Sequence, residues 1–311
     1  MNQKLPLPVK DPATGHDLLV AGYTAAYFLP PAIHEHVAPL QWALKRFLTL
    51  APEGALRWQA IGAGAEDWRP VGSSTQAKCL DQLRPEAARR RDLTSIELRS
   101  GSDVSDASQW SITIIGNPVD KEMPAENTLL EWTIPARICD GGEADAAARM
   151  FMAFAAEVPY RHAYFSPAIL WSSVLEEEAL TRARAIAMRF PGLDVSRNAV
   201  ARSFLGERVR GANWITLLDS GMTSALGGSV ATAQAAHSAF DAVPFKSGVA
   251  LRAGSAPTLK ADVGPAFGAM CSMAKLLLPI TAHDKEALPA TEFAPDDDEE
   301  FVLRWERRYL K

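Results

Sequence analysis

The sequence predicts an α+β fold, with mostly antiparallel sheets and helices packed over their faces. Two observations predict it. Short runs rich in β-branched and aromatic residues, such as residues 110–116 (WSITIIG), are spread along the whole chain. Amphipathic helical runs separate them without the strict strand–helix alternation of a doubly wound parallel sheet. The chain has 311 residues, 48% hydrophobic and 22% charged, so it is long enough to bury a core without disulfides or metal.

The elements follow in order. Residues 18–29 (LLVAGYTAAYFL) read as a buried strand, ended by Pro30 and Pro31. A helix follows to about Leu50, with Pro39 in its first turn and Leu40, Leu44, Phe47 and Leu48 on one face. Residues 56–61 alternate as a strand, giving β–α–β at the start. Residues 62–92, with Gly62, Gly64 and Gly72, show little periodicity. Residues 95–99, 110–116 and 129–134 are three more strands, and Gly116-Asn117-Pro118 is turn chemistry between the last two. After Gly141-Gly142, residues 143–157 form a helix with Ala147, Met150, Phe151 and Phe154 on its apolar face. Residues 160–170 are extended. Residues 175–189 are a helix whose glutamates come first and arginines last, in agreement with the helix dipole. Residues 214–218 (WITLL) form a buried strand leading into a short helix, 220–226, closed by Gly227-Gly228. Residues 248–253 are a strand, and 264–278 are an apolar helix stopped by Pro279.

The net charge of −5 argues against a nucleic-acid-binding surface, which needs a basic face, and suits a basic partner. Cys79, Cys139 and Cys271 are odd in number and widely spaced, so neither a zinc knuckle nor a disulfide framework is indicated. The amino terminus lacks the apolar stretch of a signal peptide, and no run reaches the ~18 apolar residues of a membrane span. A cytoplasmic protein is expected. The sequence has no Gly-x-Ser-x-Gly elbow, phosphate-cradling Gly-rich loop or His-Glu-x-x-His. His34-Glu35-His36 could share a metal only on an extended strand, and its place between Pro31 and Pro39 reads as a connection. Glu176, Glu177 and Glu178 fit a solvated first helical turn, although paired carboxylates also serve acid–base chemistry. Asp296, Asp297, Asp298, Glu299 and Glu300 are the strongest charge feature, solvated by mutual repulsion or set against a basic groove.

Residues 193–228 (LDVSRNAVARSFLGERVRGANWITLLDSGMTSALGG) carry a family pattern in their Leu-Asp-Val-Ser opening, Arg-Gly-Ala-Asn-Trp-Ile-Thr-Leu-Leu strand and Leu-Gly-Gly stop. Residues 248–257 (GVALRAGSAP), followed by Asp262, form a second block, and Phe165-Ser166-Pro167-Ala168 precedes both. Together these resemble the TsiV-like type VI secretion immunity family across about residues 15–280. Lys260-Ala261-Asp262 stands where the family has a more direct Gly-Asp. Read as chemistry, the blocks are structural: Trp214 is an apolar anchor, Asp219 caps the helix from Ser220, and Gly254 permits a positive φ.

The resemblance implies a bacterial immunity protein, without catalytic residues or cofactor, that binds and occludes a cognate type VI toxin, often a nuclease. Glu176, Glu177, Glu178, Asp296, Asp297, Asp298, Glu299 and Glu300 are the candidate contacts, on charge grounds. Two other classes stand beside this reading. One is a hydrolase whose site gathers His162, Asp219 and Asp262; the other is an adaptor of the secretion apparatus. The expected organisation is an extension at 1–14, an immunity domain at 15–285, and an acidic tail at 286–311. Related halves would divide the domain at 15–135 and 143–280.

Overall fold

The long apolar run after Asp17 becomes the spine of the molecule. The structure, a computed structural model, describes residues 5–62, 67–118, 126–138, 144–195, 197–228, 231, 239–257, 265–282, 304–305 and 307–310. Strands β1 (Val9–Lys10), β2 (Asp17–Leu29), β3 (Trp58–Ile61), β4 (Arg69–Pro70), β5 (Thr94–Arg99), β6 (Ser111–Gly116), β7 (Thr128–Pro135), β8 (His162–Trp171), β9 (Ile215–Leu218), β10 (Asp241–Phe245) and β11 (Gly248–Arg252) form one sheet. Its order is β10-β11-β9-β8-β2-β7-β6-β5-β3-β4, with β1 added to β2, and its strand pairs are antiparallel. The amino-terminal half meets the carboxy-terminal half inside this sheet, because β2 pairs with β8 from Leu19↔Trp171 to Phe28↔His162.

Helices α1 (Val37–Leu50), α2 (Thr75–Gln82), α3 (Pro85–Arg90), α4 (Ala144–Glu157), α5 (Glu176–Arg189), α6 (Asn198–Leu205), α7 (Ser220–Ala225) and α8 (Pro265–Leu277) surround it. The period-2 alternation of the strands sorts their side chains onto two unlike faces. On the first face lie Tyr23, Ala25, Tyr27, Ile96, Leu98, Ile112, Ile114, Leu130, Trp132, Ile134 and Phe165, packed with Leu40, Leu44 and Phe47 of α1 and Phe151 and Phe154 of α4. An aromatic stack runs through it: Phe151 and Phe165 lie 5.5 Å apart, Tyr23 and Phe165 5.4 Å, and Trp132 and Phe154 5.4 Å between ring centroids. Fully burying each such ring contributes roughly 1.5–3 kcal/mol.

Helix α5 packs on β2 and β8 through Ala179, Leu180, Ala183 and Ala187 against Leu18, Leu19 and Ile169, and the second face carries α6. Helix α6 adds Ala201 and Leu205 against Ala26, Phe28 and Tyr164. Trp305 is buried with the α5 cluster and Tyr309 in the main core, where the Tyr309 hydroxyl donates to the Pro191 carbonyl at 2.7 Å. The chain is therefore anchored on both sides of residues 283–303, since Ala282 N donates to the Val209 carbonyl at 2.9 Å.

Most expected elements form where the patterns place them. Helices α2, α3 and α6 and strand β10 arise where no element was expected. Helices α2 and α3 are short: they bury Cys79, Leu83 and Ala88, too few positions for a visible period. The β10–β11 hairpin turns through Lys246, at φ 52°. Gly248 follows because a Cβ there would stand 1.9 Å from the Leu218 carbonyl oxygen.

Candidate polar cleft on the second sheet face

Sheet register assembles a site from residues far apart in sequence. Glu97 of β5 faces Thr113 of β6, which faces Glu131 of β7. The next row is Arg99, Ser111, Thr133 and Thr24. These polar side chains line a cleft of about 270 Å³ together with Trp171, Ser173, Glu176, Arg197, Asn198 and Val200. Helix α6 packs over Ala26, Phe28, Leu129 and Tyr164, and the polar rows of β5, β6 and β7 beside it line the cleft.

Its charges are unevenly matched. Glu131 accepts from Asn198 Nδ2 at 2.8 Å and from Thr24 Oγ1 at 3.0 Å, both neutral donors. Burial pushes its carboxyl up to about 7, against which the two hydrogen bonds act, while Asp194 and Glu97 push it further up. Burial likewise raises Glu97, with Arg99 opposing. The cleft's guanidinium groups bond to their own partners, with Arg99 Nε left without a hydrogen bond. Arg99 donates to Ser173 Oγ at 2.7 Å and to the Asp106 carbonyl at 2.9 Å, and lies 4.8 Å from the Trp68 ring centroid. Arg197 pairs with Glu176 at 2.6 Å.

A buried chain of hydrogen bonds fixes the cleft wall. Asn198 Nδ2 also donates to the Tyr164 hydroxyl at 2.7 Å, which donates to Asp194 Oδ2 at 2.9 Å. Asp194 Oδ1 meets Arg210 Nη1 at 3.2 Å, with both side chains buried. The Asp194 backbone bridges to β8 through Pro167 O at 2.8 Å and Ile169 N at 2.9 Å. The Leu-Asp-Val block thus locks the segment before α6 to the sheet. The second block closes on the first: Ala253 N donates to Trp214 O at 2.8 Å, and Trp214 Nε1 donates to Gly254 O at 3.2 Å. Gly254 has φ 79°, and Asp219 Oδ1 accepts from Met222 N at 2.8 Å as the cap of α7, as the sequence led us to expect.

The family model described as type VI immunity for VRR-NUC, TsiV, matches residues 40–309. The chain belongs to the TsiV family. A solved structure titled Pseudomonas aeruginosa T6SS protein PA0821 superposes with a TM-score of 0.79 at 20% identity, covering 99% of this chain and 87% of that one; it shares the fold. A comparison with curated proteins finds no match.

The acidic residues singled out by charge lie in different settings. Glu176 is half-buried in the cleft wall, paired with Arg197. Glu178 is exposed and pairs with Arg182 one turn on, at 2.9 Å, and Glu177 is exposed beside it. Asp296, Asp297, Asp298, Glu299 and Glu300 lie outside the described residues. The two described residues of the hydrolase reading, His162 and Asp219, are engaged in the framework. His162 is buried and stacked on Phe28 at 4.3 Å, neither ring nitrogen has a hydrogen-bond partner, and burial lowers its pKa to about 3. Asp219 is spent as a cap, and Asp262 lies outside the described residues. His36 Nε2 contacts the Pro30 carbonyl at 3.0 Å in a short 3₁₀ connection. Among the described residues no three His, Cys, Asp or Glu side chains are grouped to hold a metal, and no helix is long and apolar enough to cross a membrane.

Glu97, Glu131 and Asn198 were missed as site residues. The strands of Glu97 and Glu131 show the period-2 polar face, but only the cross-strand register aligns Glu97, Thr113 and Glu131.

Proposed function

We propose that the protein is an immunity protein that binds a VRR-NUC nuclease toxin in the cytoplasm and blocks its nucleic-acid-binding cleft. It has no catalytic role of its own. The observation that carries this is the family match over residues 40–309. The surface supports it. The chain is net acidic at −5, and a nuclease cleft must be basic to hold phosphates, so the two potentials attract and speed encounter. Exposed Glu177 and Glu178, Glu176 beside them, and the acids at 296–300 are the contacts proposed on charge grounds. A framework with a continuous sheet through both halves suits rigid docking, which spares the ordering cost of association. Protection against toxin at low concentration requires a dissociation constant of about 1 nM or below.

The test is co-expression in a sensitive host with the product of the adjacent gene, together with co-purification. Rescue of growth with a stable complex supports the reading. Unrelieved toxicity at comparable expression, with no complex, contradicts it.

A further inference from the structure

The cleft of about 270 Å³ is lined by three carboxyl groups, of Glu97, Glu131 and Glu176, and by two guanidinium groups, of Arg99 and Arg197. Glu97 and Glu131 sit on one cross-strand row on either side of Thr113, about 10 Å apart at two strand spacings. Glu97 makes no hydrogen bond or ion pair with the described residues. Glu131 has only the neutral donors Asn198 and Thr24. Arg99 bonds Ser173 and the Asp106 carbonyl while its charge partly offsets that of Glu97, and Arg197 pairs with Glu176. The carboxyl groups thus outnumber the guanidinium groups by one in a partly desolvated cleft, and a guest cation that completes the pairing is favoured there. The lining adds hydroxyl acceptors from Ser111, Thr113 and Thr133 for the remaining N–H groups of such a guest. The volume admits one long side chain rather than a folded segment.

We propose that this cleft holds a guanidinium or ammonium group, seated over Thr113 between the carboxyl groups of Glu97 and Glu131, and that in the complex the group is a basic side chain of the bound toxin. The second half rests on the immunity reading above; the first does not. In the complex the guest extends from the toxin into the cleft. It anchors the interface at a desolvated point, as buried Arg side chains do at binding hot spots.

The test uses the full chain and two kinds of probe. N-acetylarginine amide is titrated against the wild type, Glu97→Gln and Glu131→Gln by saturation-transfer NMR, with inorganic phosphate as the anionic comparison and thermal melting as the check on folding. Toxin affinity of the same three proteins is then measured with and without excess arginine amide. Glu97→Gln serves alone should Glu131→Gln fail to fold. The expected result is saturable arginine-amide binding, weakened about 10-fold or more in the variants, with a parallel loss of toxin affinity and competition by the free amide. No saturable binding, binding unchanged in the folded variants, or phosphate bound in place of the amide overturns the cation site. Amide binding with toxin affinity unchanged by the substitutions overturns the toxin half and leaves a site for free small cations. A wild type that takes the amide and binds no toxin refutes the immunity reading and leaves the cation site standing.

Discussion

Replacing Glu131 with Gln removes the cleft's most perturbed charge while keeping its shape. The Gln carbonyl oxygen still accepts from Asn198 Nδ2 and Thr24 Oγ1, which bond the same carboxyl oxygen, Oε1, at 2.8 and 3.0 Å. Burial raises the folded-state value from 4.5 to about 7. The unfolded chain therefore loses its proton first as pH rises. Stability from the protonated folded form is fully present below the unfolded value, and it is lost progressively as pH rises through the folded one. The full loss is about 3 kcal/mol as a ceiling, lowered by the water that reaches the carboxyl through the cleft. Gln carries no such penalty. Urea unfolding of wild type and Glu131→Gln at pH 5 and pH 8, at one ionic strength, measures the difference directly. The variant should gain on the wild type by about 2 kcal/mol between the two pH values. A stability gap that stays constant, or moves in favour of the wild type at pH 8, would refute the claim that burial raises the pKa of this carboxyl.

Other predictions test the framework and the surface. Phe151→Ala, which removes a ring stacked on Phe165 and Tyr27, should cost about 3–5 kcal/mol in urea unfolding. Asp219→Ala removes the side-chain cap of α7 and should cost about 1 kcal/mol by the same measurement. Gly248→Ala forces a Cβ onto the Leu218 carbonyl and should speed amide exchange in β9, β10 and β11 before it affects β2. Glu177→Lys with Glu178→Lys should slow toxin association at low salt with little change in the dissociation rate, read by surface plasmon resonance; a changed dissociation rate would place these residues inside the interface.

The first-face core was legible because Tyr23, Ala25 and Tyr27 in β2, and Phe151 and Phe154 in α4, repeat with the periods of their elements. The Asp219 cap and the Gly254 turn were legible for the same local reason. The cleft was not. Glu97 and Glu131 are 34 positions apart in sequence, and their alignment depends on β6 standing between β5 and β7, which strand patterns do not reveal. Asn198 escaped because α6 is short and its first residue looks like an ordinary helix start. Charge density, by contrast, drew attention to Glu176, Glu177 and Glu178, of which Glu176 alone reaches the cleft.

Occlusion of a nuclease is most directly tested by titrating this protein into a DNA-cleavage reaction of the purified VRR-NUC toxin while following DNA binding by anisotropy. The account predicts that cleavage and DNA binding fall together and vanish at one equivalent. Cleavage that persists at saturation would contradict the immunity reading, and a silent complex that still holds DNA would contradict occlusion.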